Sequence, residues 1–103
     1  MREVGDRHGE CTVLNDLAHT HRVSGDREQA FNLHRQALTL ADRHDYIYRQ
    51  AGAYTGLGHC LIDRDPAAAR QHWQQALTIY RQIDVPQQNE VEAALRRCPE
   101  ATR

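Results

Sequence analysis

Apolar residues recur at intervals of three or four positions along most of this chain, and polar or charged residues fill the positions between them. That spacing places the apolar side chains on one face of a helix. Alternation with a period of two never persists over more than a few residues, so the sequence contains no candidate strand. Turn-forming residues interrupt the helical pattern at Ser24-Gly25, within Asp42–Gln50, at Asp65-Pro66 and at Asp84–Pro86. The sequence therefore predicts one all-α domain over residues 1–103, built from five helices.

The first helix pair is predicted over about residues 8–43. Its first helix ends at Ser24-Gly25, because glycine readily adopts the left-handed conformation that closes helices. Asp26 is placed to cap the second helix, and Gln29 three residues later would complete a capping box. The predicted apolar stripes are Val13, Leu14, Leu17 and Ala18 in the first helix, and Ala30, Phe31, Leu33, Ala37, Leu38 and Ala41 in the second.

A second pair is predicted over about residues 46–82, followed by a capping helix over 86–97 and a tail over 98–103. Asp65 is placed to cap the second helix of this pair, and Pro66 takes the first helical position, which suits its fixed backbone angle. The expected apolar positions are Tyr54, Leu57, Gly58, Leu61 and Ile62, then Ala69, Trp73, Ala76, Leu77 and Tyr80, then Val91, Ala94, Leu95 and Cys98.

The two pairs are copies of one repeat. Leu17-Ala18-His19 returns as Leu57-Gly58-His59 at an offset of 40 residues, and Gln36–Leu40 returns as Gln75–Ile79 at an offset of 39. The second unit is therefore one residue shorter, in the turn near Asp63–Asp65. Repeats of this length indicate a solenoid in which neighbouring units bury one another's apolar faces.

The repeat resembles the tetratricopeptide family, whose first helix carries a large residue, Leu-Gly and another large residue, and whose second helix carries spaced small residues. The matching positions are Tyr54, Leu57-Gly58, Leu61, Ala69, Trp73 and Ala76 in the second unit, and Leu14, Leu17-Ala18, His21, Ala30, His34 and Ala37 in the first. The resemblance implies an α-solenoid of two antiparallel helix pairs with a capping helix, acting as a non-catalytic scaffold for a protein or peptide. This repeat is longer than the family's usual 34 residues, and His21 and His34 stand where aromatic residues are usual.

Asp65–Leu77 and Val85–Val91 are also similar to the long C-terminal repeats of actinobacterial antibiotic-regulatory activators (SARP type) and related STAND signalling ATPases. That resemblance implies the regulatory C-terminal part of a bacterial transcriptional regulator. Glu3–Glu10 looks like a junction between repeats, so we expect the chain to begin in mid-array, with an apolar edge of its first helix uncovered. A free-standing adaptor that dimerises through this helix is the alternative, and a metal-dependent enzyme is a third possibility.

Composition and net charge argue against some classes of binding partner. The chain has 13 Arg and no Lys against 14 acidic residues, for a formal net charge of −1. This balance argues against direct nucleic-acid binding and against an anionic membrane surface. An odd number of widely spaced cysteines without a CxxC pair predicts reduced thiols in a cytoplasm.

The concave groove is the expected binding site. Counting along the repeat pattern, the positions facing it are Thr12, Asn15, His19, Arg22, Thr55, His59 and Ile62. Two histidines, an asparagine and an arginine suit a polar or acidic peptide held by charge-assisted hydrogen bonds. The same residues also fit ordinary solvated helix positions. Asp16 and Gly56 stand near the places where some family members clamp a C-terminal carboxylate with Asn and Lys, so that mode of binding is not expected.

The sequence spacing of the histidines and cysteines gives little support for a catalytic site or a metal site. His8 and Cys11 would share a helix face, and His19 could approach His59, but no four ligands follow a zinc-site pattern. A nucleophile built from Cys60 with His59, or from Cys11 with His8, lacks a recognisable oxyanion site. We therefore expect no cofactor, no metal and no catalytic residue.

Overall fold

The computed structural model describes residues 7–98, which form five helices joined by tight turns. The helices are α1 (Arg7–Val23), α2 (Arg27–His44), α3 (Ile47–Leu61), α4 (Pro66–Ile83) and α5 (Gln87–Arg97). The all-α fold is confirmed: α1 packs on α2 and α3 packs on α4 as antiparallel pairs, α2 joins the pairs by packing on α3, and α5 packs on α4. The predicted tail, apart from Cys98, and the beginning of the Glu3–Glu10 junction lie outside the described residues.

The α1–α2 turn closes as the sequence predicts, with one difference. Gly25 adopts a φ of +99°, and its N–H donates to the Arg22 carbonyl while the Asp26 N–H donates to the His21 carbonyl, which is the Schellman pattern. The Asp26 carboxylate accepts the Gln29 N–H at 3.2 Å and so caps α2. Because the Asp26 N–H already bonds to His21, Gln29 does not complete the reciprocal half of the capping box.

Aspartates rather than glycines end α2 and α4. Asp45 and Asp84 have φ values of 58° and 55°, in the left-handed region that short polar side chains tolerate better than most. At the start of α4, Asp65 accepts the Ala68 N–H at 3.2 Å and Pro66 occupies the first turn, as the sequence predicts. These turns reverse the chain within a few residues and bring successive helices side by side.

Two apolar clusters hold the helices together. The first contains Ala18, Ala30, Leu33 and Cys60, and thus joins α1, α2 and α3. The larger second cluster joins α3, α4 and α5 through Ala51, Trp73, Ala76, Leu77, Tyr80, Val91, Ala94 and Cys98. The three cysteines are buried and form no disulfide with one another, and the Sγ atoms of Cys11 and Cys98 lie 3.8 Å from the carbonyls of Ala37 and Pro66.

One part of the predicted apolar stripe of α1 is not buried. Ala18 is fully buried and Leu14 packs partly, but Val13 and Leu17 remain 63% and 44% exposed. Their equivalents in α3, Ala53 and Leu57, are buried. The difference arises because α2 covers this face of α3, whereas none of the described helices covers it on α1. The structure thus has the uncovered edge on its first helix that the sequence predicts.

Candidate functional site

A polar pocket of about 210 Å³ opens between α1, α3 and α5, with α2 contributing one residue. Its walls are the first helices of the two repeats and the capping helix, which stand side by side as expected for the groove of a solenoid. The lining residues are Asn15, His19, Arg22, His34, Gly52, Thr55, Gly56, His59 and Glu90. We call this hollow the polar pocket.

Five of the seven predicted groove residues line the polar pocket: Asn15, His19, Arg22, Thr55 and His59. The other two lie apart from it. Ile62 lines a neighbouring hollow of about 300 Å³ beside Trp73 and α5. The Thr12 hydroxyl donates to the His8 carbonyl one turn earlier in α1. The pattern of the repeat therefore brings together the central residues of the predicted groove and leaves its two ends separate.

His34 lies beneath the pocket and is nearly inaccessible to solvent, with 4% exposure. Its ring packs against Gly56, whose missing side chain leaves the space that the imidazole fills. The Nδ1 atom lies 2.9 Å from the Asn15 Oδ1. Since an amide oxygen only accepts, Nδ1 carries the proton and donates to Asn15. Burial, together with the nearby Arg22, His59 and His19, lowers the His34 pKa to about 4, so this histidine is neutral at pH 7.

Arg22 supplies the permanent positive charge of the pocket. One of its terminal amino groups lies 3.0 Å from His19 Nδ1, which orients the guanidinium along α1. Its Nε atom is buried and has no hydrogen-bond partner among residues 7–98. A buried donor without an acceptor is costly, so an acceptor brought by a ligand would be favourable here.

His59 and Glu90 face each other across the pocket from α3 and α5. The His59 ring packs edge-on against Trp73, with 5.3 Å between centroids, and its Nε2 lies 3.9 Å from a carboxylate oxygen of Glu90. Burial and, secondarily, the charge of Arg22 lower the His59 pKa, while Glu90 acts in the opposite direction. At 3.9 Å the two groups are too far apart for a hydrogen bond, and they form an ion pair only when His59 is protonated.

The size and charge of the polar pocket indicate what it can hold. Its volume is below the 300–1,000 Å³ of typical small-molecule pockets and suits a single side chain. The lining combines one arginine and three histidines with one carboxylate. Such a site favours an anionic group that accepts hydrogen bonds from several donors at once.

The candidate catalytic and metal groups do not assemble into a reaction centre within residues 7–98. Burial raises the pKa of both the Cys11 and the Cys60 thiols, the opposite of what an activated nucleophile requires. No group of three or more His, Cys, Asp or Glu residues in this range could hold a metal ion. Among the same residues, no helix combines the length and apolar character needed to cross a bilayer.

Four lining residues of the polar pocket are not among the predicted groove positions: the glycines Gly52 and Gly56, and the polar residues His34 and Glu90. His34 belongs to a second helix, where the repeat pattern predicts an aromatic core residue, so nothing in its spacing marks it as part of the groove. Glu90 lies in the capping helix, whose polar residues the pattern treats alike. The one available signal is that α5 occupies the place of a third first helix, beside α1 and α3.

Comparison with known families identifies part of the chain. Residues 11–44, which cover most of α1 and all of α2, match the family model of the tetratricopeptide repeat. Comparisons with curated proteins and with solved structures give no match. The matched segment includes three residues of the polar pocket from α1 and His34 from α2.

Proposed function

We propose, from the premise that residues 11–44 form a tetratricopeptide repeat, that this chain is a non-catalytic scaffold binding an acidic peptide segment of a partner protein. Repeats of this family generally mediate contacts between proteins and are generally non-catalytic. The observation that carries the proposal is the convergence of Asn15, Arg22 and His59 on one pocket with an unsatisfied donor. The formal net charge of −1 supports a protein partner over a nucleic acid.

Selection from a library of random displayed peptides tests this proposal. We expect the full chain to enrich peptides rich in Asp and Glu. The Arg22→Gln variant should bind them about tenfold or more weakly, because a hydrogen bond to a charged group contributes about 1.5–3 kcal/mol. Affinities can be measured by fluorescence anisotropy at fixed salt, since surface charge effects are screened by ions.

Arg35→Gln is the matched control. Arg35 is exposed on α2, with its guanidinium over the Phe31 ring and outside the polar pocket. This variant should leave peptide affinity within a factor of two. Peptides without an acidic bias, or equal losses in the Arg22 and Arg35 variants, would show that the groove is not the binding site.

We further propose that the scaffold is the regulatory C-terminal part of a bacterial transcriptional regulator and acts in the cytoplasm. The resemblance of Asp65–Leu77 and Val85–Val91 to the arrays of such regulators supports this context, and three cysteines that form no disulfide with one another support a reducing compartment. An antibody raised against the chain tests it by blotting an extract of the source organism. A band far above 11.8 kDa supports the regulator, whereas a band at that mass contradicts it.

A second candidate is a free-standing adaptor in which a second copy covers the open face of α1. The exposed Val13 and Leu17 favour it, since α2 buries the equivalent face of α3. At the other end α5 already covers α4, so contact between copies would have to join α1 to α1 in a two-fold dimer. Light scattering distinguishes this dimer from a chain whose α1 is covered by a preceding repeat.

A further inference from the structure

The polar pocket contains a carboxylate of its own. Among its described lining residues, Glu90 alone is acidic, and it faces Arg22 and the histidines of α1, α2 and α3. With His34 and His59 neutral, the Glu90 carboxylate balances the permanent positive charge of Arg22. An acidic ligand entering the pocket therefore meets a site whose charge is already neutralised.

Glu90 is held loosely although its helix is held firmly. Its side chain is 65% exposed, and its nearest basic atom in the pocket, His59 Nε2, is 3.9 Å away. The neighbouring Val91 and Ala94 are buried in the second apolar cluster, and Glu92 pairs with Arg81 at 2.8 Å. The Glu90 carboxylate can therefore swing into solvent without moving α5.

We propose that the polar pocket is a carboxylate-binding site and that Glu90 of α5, which lines it, acts as an internal competitor until an Asp or Glu side chain of the partner displaces it. The inference rests on the proposed function and specifies both the recognised chemical group and its internal competitor. Competition with Glu90 sets the minimum affinity that a peptide segment needs for binding. Weakly acidic segments do not reach it, whereas acidic segments that make further contacts along the groove do.

Glu90→Gln and Glu92→Gln form a matched pair for testing the inference. The probe is an octapeptide of alternating Ala and Glu with blocked ends, and its Ala-Gln counterpart shows whether binding requires charge. Glu90→Gln should tighten binding of the acidic probe about two- to fivefold, because it removes a competing charge whose interactions at an exposed position are weak. Glu92→Gln, on the same helix but outside the pocket, should leave the affinity unchanged.

A measurement without peptide tests the contact itself. In an NMR titration, Glu90→Gln should lower the pKa of His59, whereas Glu92→Gln should not move it. Equal affinity of wild type and Glu90→Gln for the acidic probe would overturn the inference while the proposed function stands. If neither the probe nor any selected peptide binds the wild-type protein, the proposed function fails and the inference fails with it.

Discussion

Two glycines of α3 set how closely the second helices approach it. A Cβ atom on Gly56 would overlap the His34 ring from α2, and one on Gly58 would overlap the Trp73 ring from α4. Gly52, one turn earlier, is different, since a Cβ there would meet only ordinary contacts, 3.6 Å from Asn15 and 3.9 Å from Tyr80. Alanine substitutions at these three glycines of α3 should therefore not all change stability in the same direction.

We predict that Gly56→Ala and Gly58→Ala each lower the free energy of unfolding by about 1–3 kcal/mol, because an added methyl group displaces a packed ring. Gly52→Ala should raise it by about 1 kcal/mol through helix propensity alone. Urea unfolding followed by circular dichroism at 222 nm measures all three. Stabilisation by Gly56→Ala would mean that the His34 ring does not rest on this backbone.

At the level of single residues, the sequence predicts the helix caps and turns, because these depend on residues close together in the chain. Gly25 in the left-handed region, Asp26 and Asp65 as caps and Pro66 in a first turn are all confirmed. The burial of His34 could not be predicted in the same way. It depends on Gly56, 22 positions away, and the repeat pattern marks only that a ring is usual at His34.

At the level of elements, α1 and α3 carry the same pattern but lie in different surroundings. At an offset of 40 residues, the exposed positions Val13, Asp16, Leu17 and Thr20 of α1 correspond to the buried positions Ala53, Gly56, Leu57 and Cys60 of α3. These positions follow helical spacing and form one face. The stability of α1 therefore depends on its other face, against α2, and its open face is available for a further helix.

Leu17→Glu tests whether a second copy uses this face. If the chain is a dimer, Leu17→Glu should raise the dissociation constant roughly thirtyfold or more, as for a central apolar interface residue. Ile47→Glu is the control, because Ile47 is 42% exposed at the start of α3 and outside this face. The mass is measured by light scattering over a concentration series.

A wild-type mass of 11.8 kDa at every concentration would exclude the dimeric adaptor. A dimer that Leu17→Glu and Ile47→Glu weaken equally would place the contact elsewhere.

The sequence predicts the open face of α1 correctly because the repeat shows which positions neighbours cover. It does not identify Glu90, because the direction of a polar side chain on α5 depends on how that helix packs on α4.

At the level of the whole molecule, the buried histidine makes stability depend on pH. The pKa of His34 is about 4 in the folded protein, against an ordinary value of 6.5. The unfolded chain therefore binds more protons between these values, and stability rises with pH through this window. The contribution is fully present above pH 6.5 and is lost as pH falls towards 4.

We predict that the free energy of unfolding falls by about 3 kcal/mol between pH 7 and pH 4 through His34 alone, at about 1.4 kcal/mol per pKa unit. Lowered pKa values of His59 and His72, whose main cause is burial, act in the same direction. His34→Phe should reduce the slope. Urea unfolding at several pH values measures the slope.

If His34→Phe destabilises the fold too far for comparison, NMR titration of the wild-type protein gives the same answer directly. An imidazole of His34 that titrates near 6.5 would contradict the buried, neutral state.

The three buried cysteines can report the local opening of the helix interfaces in which they lie. Cys11 lies between α1 and α2, Cys60 between α3 and the first pair, and Cys98 where α5 meets the start of α4. A thiol-specific reagent can modify each one only when its own interface separates. In variants that keep one cysteine each, the three modification rates would rank the three helix interfaces by how often they open. The measurement needs no attached label and no known partner.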